Sequence, residues 1–403
     1  MGALLALVVS YRRQRDAEAG KFGAELAQAA TQLGNDSAAV RMAGVYALAA
    51  LADNHPDRRQ QCVDVLCAYI RLPYIPRPVH DRTSRQIREI EPGSDRPVRT
   101  ITEVSYPVGE REVRLTIFRL IRDHLRCDAK ASWQGLDFTF TGAVLDGGDL
   151  TGAIFSGGRV DFREAIFPSG TFSFKDAVFC GVEVLFDRAS FSNSSIGFVG
   201  ARFMDGRVSF WAAKVARSAS PTRESAGGID GLNFIDAQFS GGEVAFNNVE
   251  FAGRSVTFRR ARFSRGIVTF DRCNFLKGDI EFFGADFTGG QVSFSGSLFT
   301  GSYVDFSQTT FSGGVCSFVD ARFLGSNVRF ERAQVSGVLD FSRAEFGAGI
   351  LEFYRTNFSN GVAIFRSALY STDCRVVGPW GEVPVEEWPP PHSLTSGGRE
   401  QAR

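Results

Sequence analysis

The sequence predicts an all-β solenoid preceded by an α-helical region, and composition and spacing both point to it. The chain holds 38 Phe against 8 Tyr and 4 Trp among 403 residues. From Phe138 onward the spacing is regular, with steps that alternate between seven and five at positions 155, 162, 167, 174, 179, 186, 191, 198, 203 and 210. The same alternation returns at Phe234 and continues to Tyr370. A twelve-residue period sustained over half the chain is typical of a repeat architecture.

Each repeat reads V-x-F-x-x-A-x-F and is followed by four residues rich in Gly and Ser. Val160, Phe162, Ala165 and Phe167 form one such unit. Residues two apart share one face of a β-strand, so the apolar positions point inward and the polar ones outward. No helix can carry steps of two, three, two and five over this length.

The size of one coil follows from the space inside it. A twelve-residue coil has a perimeter of only ~40 Å at ~3.3 Å per residue. Two Phe, one Val and one Ala would overfill that interior, so we predict about 24 residues per coil, with four short sides and two wider corners. Gly pairs recur at the expected wide corners, where positive φ angles favour glycine; they stand at 157–158, 241–242, 289–290 and 313–314.

A small residue two places before a large apolar one, as in 165–167 and 142–145, resembles the pentapeptide-repeat family. The segment 149–155 is similar to that family's A-(D/N)-L-x-x pattern. The resemblance implies a right-handed quadrilateral β-solenoid with five-residue sides over about 138–371. The chain departs from the family by lengthening every second step to seven. The family's roles are varied, so the resemblance says little about function.

One stretch interrupts the repeat. Residues 217–228, RSASPTRESAGG, offer nothing to fill a core, yet Phe210 and Phe234 are two full periods apart. We interpret this stretch as a looped-out segment that replaces one unit. A degenerate unit still in the wall is the alternative. Such loops sometimes form contact sites.

The N-terminal segment 1–15 is apolar and then basic. Met1–Tyr11 leads directly into Arg12, Arg13 and Arg15. A membrane-spanning helix needs ~20 apolar residues, about twice this run. Basic residues after an apolar run mark the cytoplasmic side, so the segment is expected to be the last half of a transmembrane helix. Either the start is misplaced or the segment lies only in the membrane interface. The alternative is an amphipathic soluble helix.

The other regions are assigned from their pattern. We predict a helical neck at 16–72, a Pro- and charge-rich linker or loop at 73–108, a capping helix and entry at 109–137, the solenoid at 138–371, and a C-terminal cap with a disordered tail at 372–403. The stretches 32–36, 40–48 and 62–69 resemble the segment before the repeats in actinobacterial membrane-anchored pentapeptide-repeat proteins. In those proteins one or two transmembrane helices come first.

No catalytic, cofactor or metal motif stands out. Cys62 and Cys67 are five apart, which is not a zinc or redox spacing. Cys273 and Cys316 occupy the Ala and Val positions of the repeat and are expected in the core. The four His residues have no triad or ligand context. We therefore expect no enzyme, no metal and no cofactor.

The distribution of charged residues along the repeats predicts one candidate binding site. A basic band is a low-specificity candidate for binding a partner protein and consists of Arg254, Arg259, Arg260, Arg262, Arg265, Arg272 and Lys277. An acidic stretch follows over 278–321. Zero formal net charge argues against nucleic-acid binding.

The predicted function is a non-enzymatic, membrane-associated scaffold for protein–protein interaction that faces the cytoplasm, with homo-oligomers by solenoid stacking as a further expectation. The alternative is a soluble cytoplasmic regulator of a topoisomerase that imitates DNA.

Overall fold

A computed structural model describes most of the chain. Its backbone covers 2–76, 86–89, 98–101, 109–192, 194–216, 231–359, 361–379, 381–383 and 393–394. Side chains are described for 18–76, 109–192, 194–216, 231–359 and 361–379. The predicted loop at 217–228 and the C-terminal Trp380, Trp388 and 389–391 lie outside these residues.

Four α-helices form or flank the neck. They are α1 (Gly2–Leu33), α2 (Ala38–Asn54), α3 (Arg59–Arg71, after a 3₁₀ turn at Pro56–Arg58) and α4 (Glu110–Leu125). Helix α1 runs without a break through the predicted boundary at residue 15. Within the described part of the chain, no helix combines the length and the apolar composition that crossing a membrane requires.

Helices α1 and α2 pack closely because Gly44 has no side chain. A Cβ atom there would lie 2.7 Å from the backbone nitrogen of Leu33. The buried face of α2 includes Val45 and Leu48, whereas Val40 is 37% exposed. The first buried residue of the helix is Arg41.

The predicted linker or loop at 73–108 contains two short strands. Gln86–Glu89 and Val98–Ile101 pair as an antiparallel two-stranded ribbon. Each strand carries β-branched residues, which favour extended backbone.

The repeat region is a four-walled β-solenoid, which confirms the predicted fold class. Each wall is one parallel sheet that takes one strand from every coil. We number the walls in the order in which the chain visits them. Wall 1 consists of Phe138–Thr139, Arg159–Asp161, Val182–Leu185, Gly206–Ser209, Glu243–Ala245, Ile267–Thr269, Gln291–Ser293, Val315–Ser317, Val338–Asp340, Val362–Ile364 and an antiparallel final strand, Ser393–Leu394.

The other three walls have the same construction, and wall 2 counts nine strands. Wall 2 consists of Ile166–Phe167, Ser190–Ser192, Lys214–Ala216, Glu250–Ala252, Asn274–Leu276, Leu298–Thr300, Arg322–Leu324, Glu345–Phe346 and Leu369–Tyr370. Wall 3 consists of Gly148–Asp149, Gly170–Ser173, Ser194–Gly197, Gly231–Asn233, Ser255–Thr257, Asp279–Glu281, Tyr303–Asp305, Ser326–Arg329, Gly349–Glu352, Cys374–Gly378 and the antiparallel Gly381–Val383. Wall 4 consists of Ile154–Ser156, Val178–Cys180, Arg202–Phe203, Gln238–Phe239, Arg262–Phe263, Asp286–Phe287, Thr310–Phe311 and Gln334–Val335.

The coil length is 24 residues, as predicted. Val184 pairs with Val208, 24 positions later. The register changes at the interruption, where Ile196 pairs with Leu232, 36 positions later. The described walls therefore skip one twelve-residue unit, in agreement with the looped-out interpretation.

A second register change shortens one coil. Val315 pairs with Val338, 23 positions later. The lost residue belongs to a wide corner between walls 4 and 1, where Ser336-Gly337 replaces Ser312-Gly313-Gly314. The straight sides keep their length, so the strands above and below still pair.

Stacked Phe rings fill the solenoid. Each ring lies on the ring of the same register position in the next coil, with centroids between 4.4 and 5.3 Å apart. The two corner columns meet edge to face across the interior, as Phe258 and Phe270 do at 5.7 Å and 87°. Offset stacking and edge-to-face contact are the two favoured arrangements of aromatic pairs.

The narrow corners use an unexpected backbone conformation. The second residue after each corner Phe has a positive φ, and it is usually not glycine; Asp236 (58°) and Arg260 (55°) are examples. The Ala237 N–H donates to the Phe234 carbonyl at 3.1 Å and closes the turn. The sequence did not indicate this, because Asp and Arg there read as ordinary surface residues.

Among the eight glycines of the four predicted pairs, only half have the expected positive φ: Gly157, Gly158, Gly242 and Gly314. The prediction was wrong for the other four, which lie close to the backbone of the preceding coil. At Gly241 a Cβ atom would lie 2.1 Å from the Met204 carbonyl oxygen.

Helix α4 closes the first coil, as predicted. Phe118 is buried and contacts Phe140 and Phe172 at 5.2 and 5.1 Å between ring centroids. A cap of this kind removes the apolar end that a solenoid would otherwise expose. At the other end, wall 3 continues through Cys374–Gly378, beyond the predicted limit at residue 371.

Adjacent phenylalanines give a direct test of the core. Phe282 is fully buried between Phe258 and Phe306, whereas Phe283 is half-buried on the outside, beside Arg259. We expect Phe282→Ala to lower the free energy of unfolding by about 3–5 kcal/mol through cavity formation. Phe283→Ala, the matched control, should cost less than about 1 kcal/mol. Urea unfolding followed by circular dichroism measures both, and equal losses would contradict the inward and outward assignment.

Candidate interaction surfaces

The predicted basic band is a ring and not a patch. Residues 254–277 span 24 positions, the length of one coil, so their side chains are distributed around it. Arg254 lies at the corner between walls 2 and 3, where it is buried and donates to the Ser194 carbonyl at 2.8 Å. The others occupy the corner between walls 3 and 4 (Arg259, Arg260), wall 4 (Arg262), the 4/1 corner (Arg265), the 1/2 corner (Arg272) and the 2/3 corner (Lys277).

Two arginines of the ring lie within ion-pair distance of carboxylates on the neighbouring coils. Arg260 forms a bidentate pair with Asp236 of the preceding coil, both bonds at 2.8 Å. The same bonds lower the pKa of Asp236. Arg259 lies 3.8 Å from Glu281 of the next coil. In the described residues no carboxylate lies within ion-pair distance of Arg262, Arg265, Arg272 or Lys277, and these four point in different directions.

Pairing between successive coils is general on this surface. Arg188–Glu164 and Arg343–Asp320 both lie at 2.7 Å. Further pairs of this kind are Arg159–Glu183, Arg207–Glu243, Arg322–Glu345 and Arg329–Glu352. Each exposed pair contributes little to stability. Together they place acidic and basic side chains next to each other on neighbouring coils.

Aromatic and charged side chains cluster on wall 3 and its corner with wall 4. The wall-3 patch comprises five residues, one on each of five successive coils: Arg259, Phe283, Tyr303, Arg329 and Tyr354. The Arg329 guanidinium lies 5.8 Å from the Tyr303 ring centroid and 2.8 Å from Glu352. Partial burial and the neighbouring Asp305 raise the pKa of Tyr303. Tyr and Arg are the residues most enriched at interaction hot spots.

The neck holds a cavity of about 840 Å³ beside the ends of α1 and α3. Its walls are largely apolar, with Leu33, Val65, Leu72 and Ile75 among them. Arg41, Tyr69 and Glu110 form its polar side.

A buried polar network extends from that cavity to the first coil. The Tyr69 hydroxyl donates to Glu110 Oε2 at 2.6 Å, and Arg41 Nε lies 3.4 Å from the same oxygen. Burial is the main cause of the raised pKa of Tyr69. Arg114 donates to the carbonyl oxygens of Ile70 and Val144, the second at 3.0 Å. The network therefore joins α2, α3 and α4 to the solenoid.

Sequence reasoning missed this network. The only available signal was the spacing of Glu110 and Arg114, four residues apart on one helix, which usually marks a solvent-exposed pair. Their burial depends on α4 packing between the neck and the first coil.

Cys273 and Cys316 occupy the inward positions that the repeat indicated, and Cys62 and Cys67 lie on helix α3. Cys62, Cys67, Cys273 and Cys316 are buried. Burial raises the pKa of Cys62 to about 11 and that of Cys67 to about 12. Among the described residues, no cluster of His, Cys, Asp or Glu could hold a metal ion.

Thiol reactivity tests this placement. All seven cysteines are free, and only Cys127 and Cys180 are exposed. Because the thiolate is the reactive form, we expect two thiols to react quickly with Ellman's reagent at pH 8 and five to react only after unfolding in guanidinium. The Cys127→Ser/Cys180→Ser variant should lose the fast phase, and a fast phase of three or more thiols would contradict the burial.

One comparison with known proteins gives a match. A family model described as Pentapeptide repeats (9 copies) matches residues 294–345, a stretch of 52 residues. Over this stretch the chain is similar to that family. No curated protein and no solved structure matches the chain significantly.

Proposed function

We propose that the protein is a non-enzymatic scaffold that binds a partner protein through the wall-3 patch. The observation that carries this proposal is the exposure of Tyr354 and the half-burial of Phe283 and Tyr303 on a rigid wall, each beside an arginine. A rigid aromatic side chain loses little conformational entropy on binding. The parallel ladder fixes the patch before a partner arrives, which lowers the cost of binding further.

A pair of matched variants tests the patch. We expect Tyr303→Ala/Tyr354→Ala to lower the recovery of specific partners by about tenfold or more when the full chain is used for cross-linked affinity capture from its source, since hot-spot truncations cost ≥ ~2 kcal/mol. The control, Asn274→Ala/Leu298→Ala, changes outward residues of wall 2. Retention of every partner by both variants would overturn the proposal. Unchanged circular dichroism would exclude misfolding.

Membrane association is a separate part of the proposal and rests on the apolar run Met1–Tyr11 with Arg12, Arg13 and Arg15. A segment of this length fits insertion into the interface of an anionic bilayer better than a full crossing. The repeat domain would then lie at the cytoplasmic face.

Vesicle flotation measures this directly. We expect the full chain to float with vesicles that contain phosphatidylglycerol, and Leu5→Glu/Val8→Glu to remain in the dense fraction, because charge opposes insertion. Arg366→Glu, on the last coils of the solenoid, is a control for non-specific charge effects. Equal flotation of wild type and Leu5→Glu/Val8→Glu would refute attachment by this segment.

The alternative function, regulation of a topoisomerase by DNA mimicry, requires a continuous acidic surface. In the described walls only Glu281 and Asp305 follow one another as acids at the same register position. Arg329 comes next in that column and pairs with Glu352. The surface charge therefore favours the scaffold over the mimic.

A further inference from the structure

A histidine lies where the neck meets the start of the solenoid. His124 is in the last turn of α4, with 15% of its side chain exposed. Its ring stacks on the Trp133 ring, with 4.1 Å between the centroids and 17° between the planes. Trp133 is fully buried in the segment that leads from α4 to Phe138–Thr139. We name these two residues, together with Asp53 on α2 and Leu120 on α4, the histidine junction.

Both ring nitrogens of His124 face hydrogen-bond acceptors. Nδ1 lies 2.7 Å from the carbonyl oxygen of Leu120, one turn earlier on α4, and Nε2 lies 3.0 Å from Asp53 Oδ2. A neutral imidazole has a single N–H, so one of the two contacts would bring a nitrogen lone pair against an oxygen lone pair. An imidazolium has two N–H groups and donates to both oxygens. The two contacts are therefore satisfied together only when the ring is protonated on both nitrogens.

The surroundings of the ring also favour a cation. The second oxygen of Asp53 accepts the Trp133 indole N–H at 3.0 Å, which holds the carboxylate in place beside His124. The face of an indole ring attracts a cation. The C-terminal turn of a helix does so too, because the carbonyl ends of the peptide dipoles point there.

The neighbouring charged side chains have partners away from the ring, and Lys130 is exposed. On α3, Arg59 donates to the carbonyl oxygens of Ala52 and Ser132. The other contacts of this kind are Arg122 with Asp123 and Asp149, and Arg126 with Asp128. Asp53 is thus the carboxylate that bonds to the ring of His124.

We propose that a proton on His124 holds the neck on the first coil, so that the histidine junction is a pH-sensitive contact. Loss of one proton leaves either the Leu120 carbonyl or Asp53 facing a ring nitrogen with no hydrogen between them, which is unfavourable for a buried acceptor. The assembled junction therefore holds the proton more tightly than the opened one. By linkage, its stability is greatest at low pH and falls as the pH rises through the range in which histidine loses its charge.

The effect is confined to the attachment of the neck. Asp53 belongs to α2, Leu120 to α4 and Trp133 to the segment that enters the first coil. The coils beyond are held by backbone ladders and stacked apolar rings, so the solenoid itself should keep its structure over the same pH range. The proposal depends neither on the wall-3 patch nor on the membrane segment.

Nitrogen-15 NMR of the full chain, labelled at histidine, measures the protonation directly. At pH 7 we expect both ring nitrogens of His124 to show the chemical shift of a protonated nitrogen. In Asp53→Asn one of them should show that of an unprotonated nitrogen, because the amide can donate to Nε2. The signals are assigned by their loss in His124→Gln. A neutral His124 ring in the wild type would overturn the proposal, as would an Asp53→Asn ring that keeps both protons.

Urea unfolding followed by the fluorescence of Trp133 measures the strength of the junction. The other three tryptophans are removed in a Trp211→Phe/Trp380→Phe/Trp388→Phe background. From pH 6 to pH 8.5 we expect the unfolding equilibrium constant at fixed urea to rise about tenfold or more, the factor that a hydrogen bond to a charged group contributes. The rise should be absent in His124→Gln. It should remain in the matched control His55→Gln, whose ring contacts Phe22.

The pH series has three outcomes that contradict the proposal. An unfolding constant that stays the same from pH 6 to pH 8.5 would show that the proton does not hold the junction. The same rise in His124→Gln would assign the pH dependence to another group. Loss of the rise in His55→Gln would assign it to the other histidine of the neck.

Discussion

The stacking of one phenylalanine on the next sets the geometry of the whole solenoid. Rings at the same register position in successive coils lie 4.4 to 5.3 Å apart, close to the spacing of hydrogen-bonded strands. Ring stacking and the parallel ladders therefore impose the same rise per coil. A coil cannot slip against its neighbour without breaking both. Every outward column, charged or apolar, is straight for this reason.

Within the described solenoid, both changes in repeat length occur at corners and leave the strands intact. One residue is lost where Ser336-Gly337 replaces a three-residue turn, and twelve are skipped between Ala216 and Gly231. Both changes occur at wide corners, where no inward side chain has to keep its place. Functional variation on this framework therefore falls on outward columns and corners. The wall-3 patch is of this kind.

The neck is attached by polar as well as apolar contacts. Asp53 accepts hydrogen bonds from the Trp133 indole at 3.0 Å, and its other oxygen lies 3.0 Å from His124 Nε2. Arg114 is buried between α3 and the first coil and is paired with Glu110. Buried charges of this type contribute less to stability than to fixing one arrangement, because only one packing satisfies them. The orientation of the neck on the solenoid is thereby set.

The sequence by itself determined the repeat, the coil length and the inward residues, because a period of twelve in Phe, Val and Ala leaves one face to bury and one geometry to bury it in. It also indicated the capping helix, since Val113 and Ile117 recur at helical spacing.

Only the tertiary structure decided which outward residues become neighbours. Residues 24 apart, such as Arg260 and Asp236, lie side by side, whereas the basic band, continuous in sequence, is spread around a coil. The left-handed turns at Asp236 and Arg260 and the burial of Arg114 were likewise invisible in the sequence. These features are stabilised by contacts with a neighbouring coil or a neighbouring helix, and residues that are distant in sequence make those contacts.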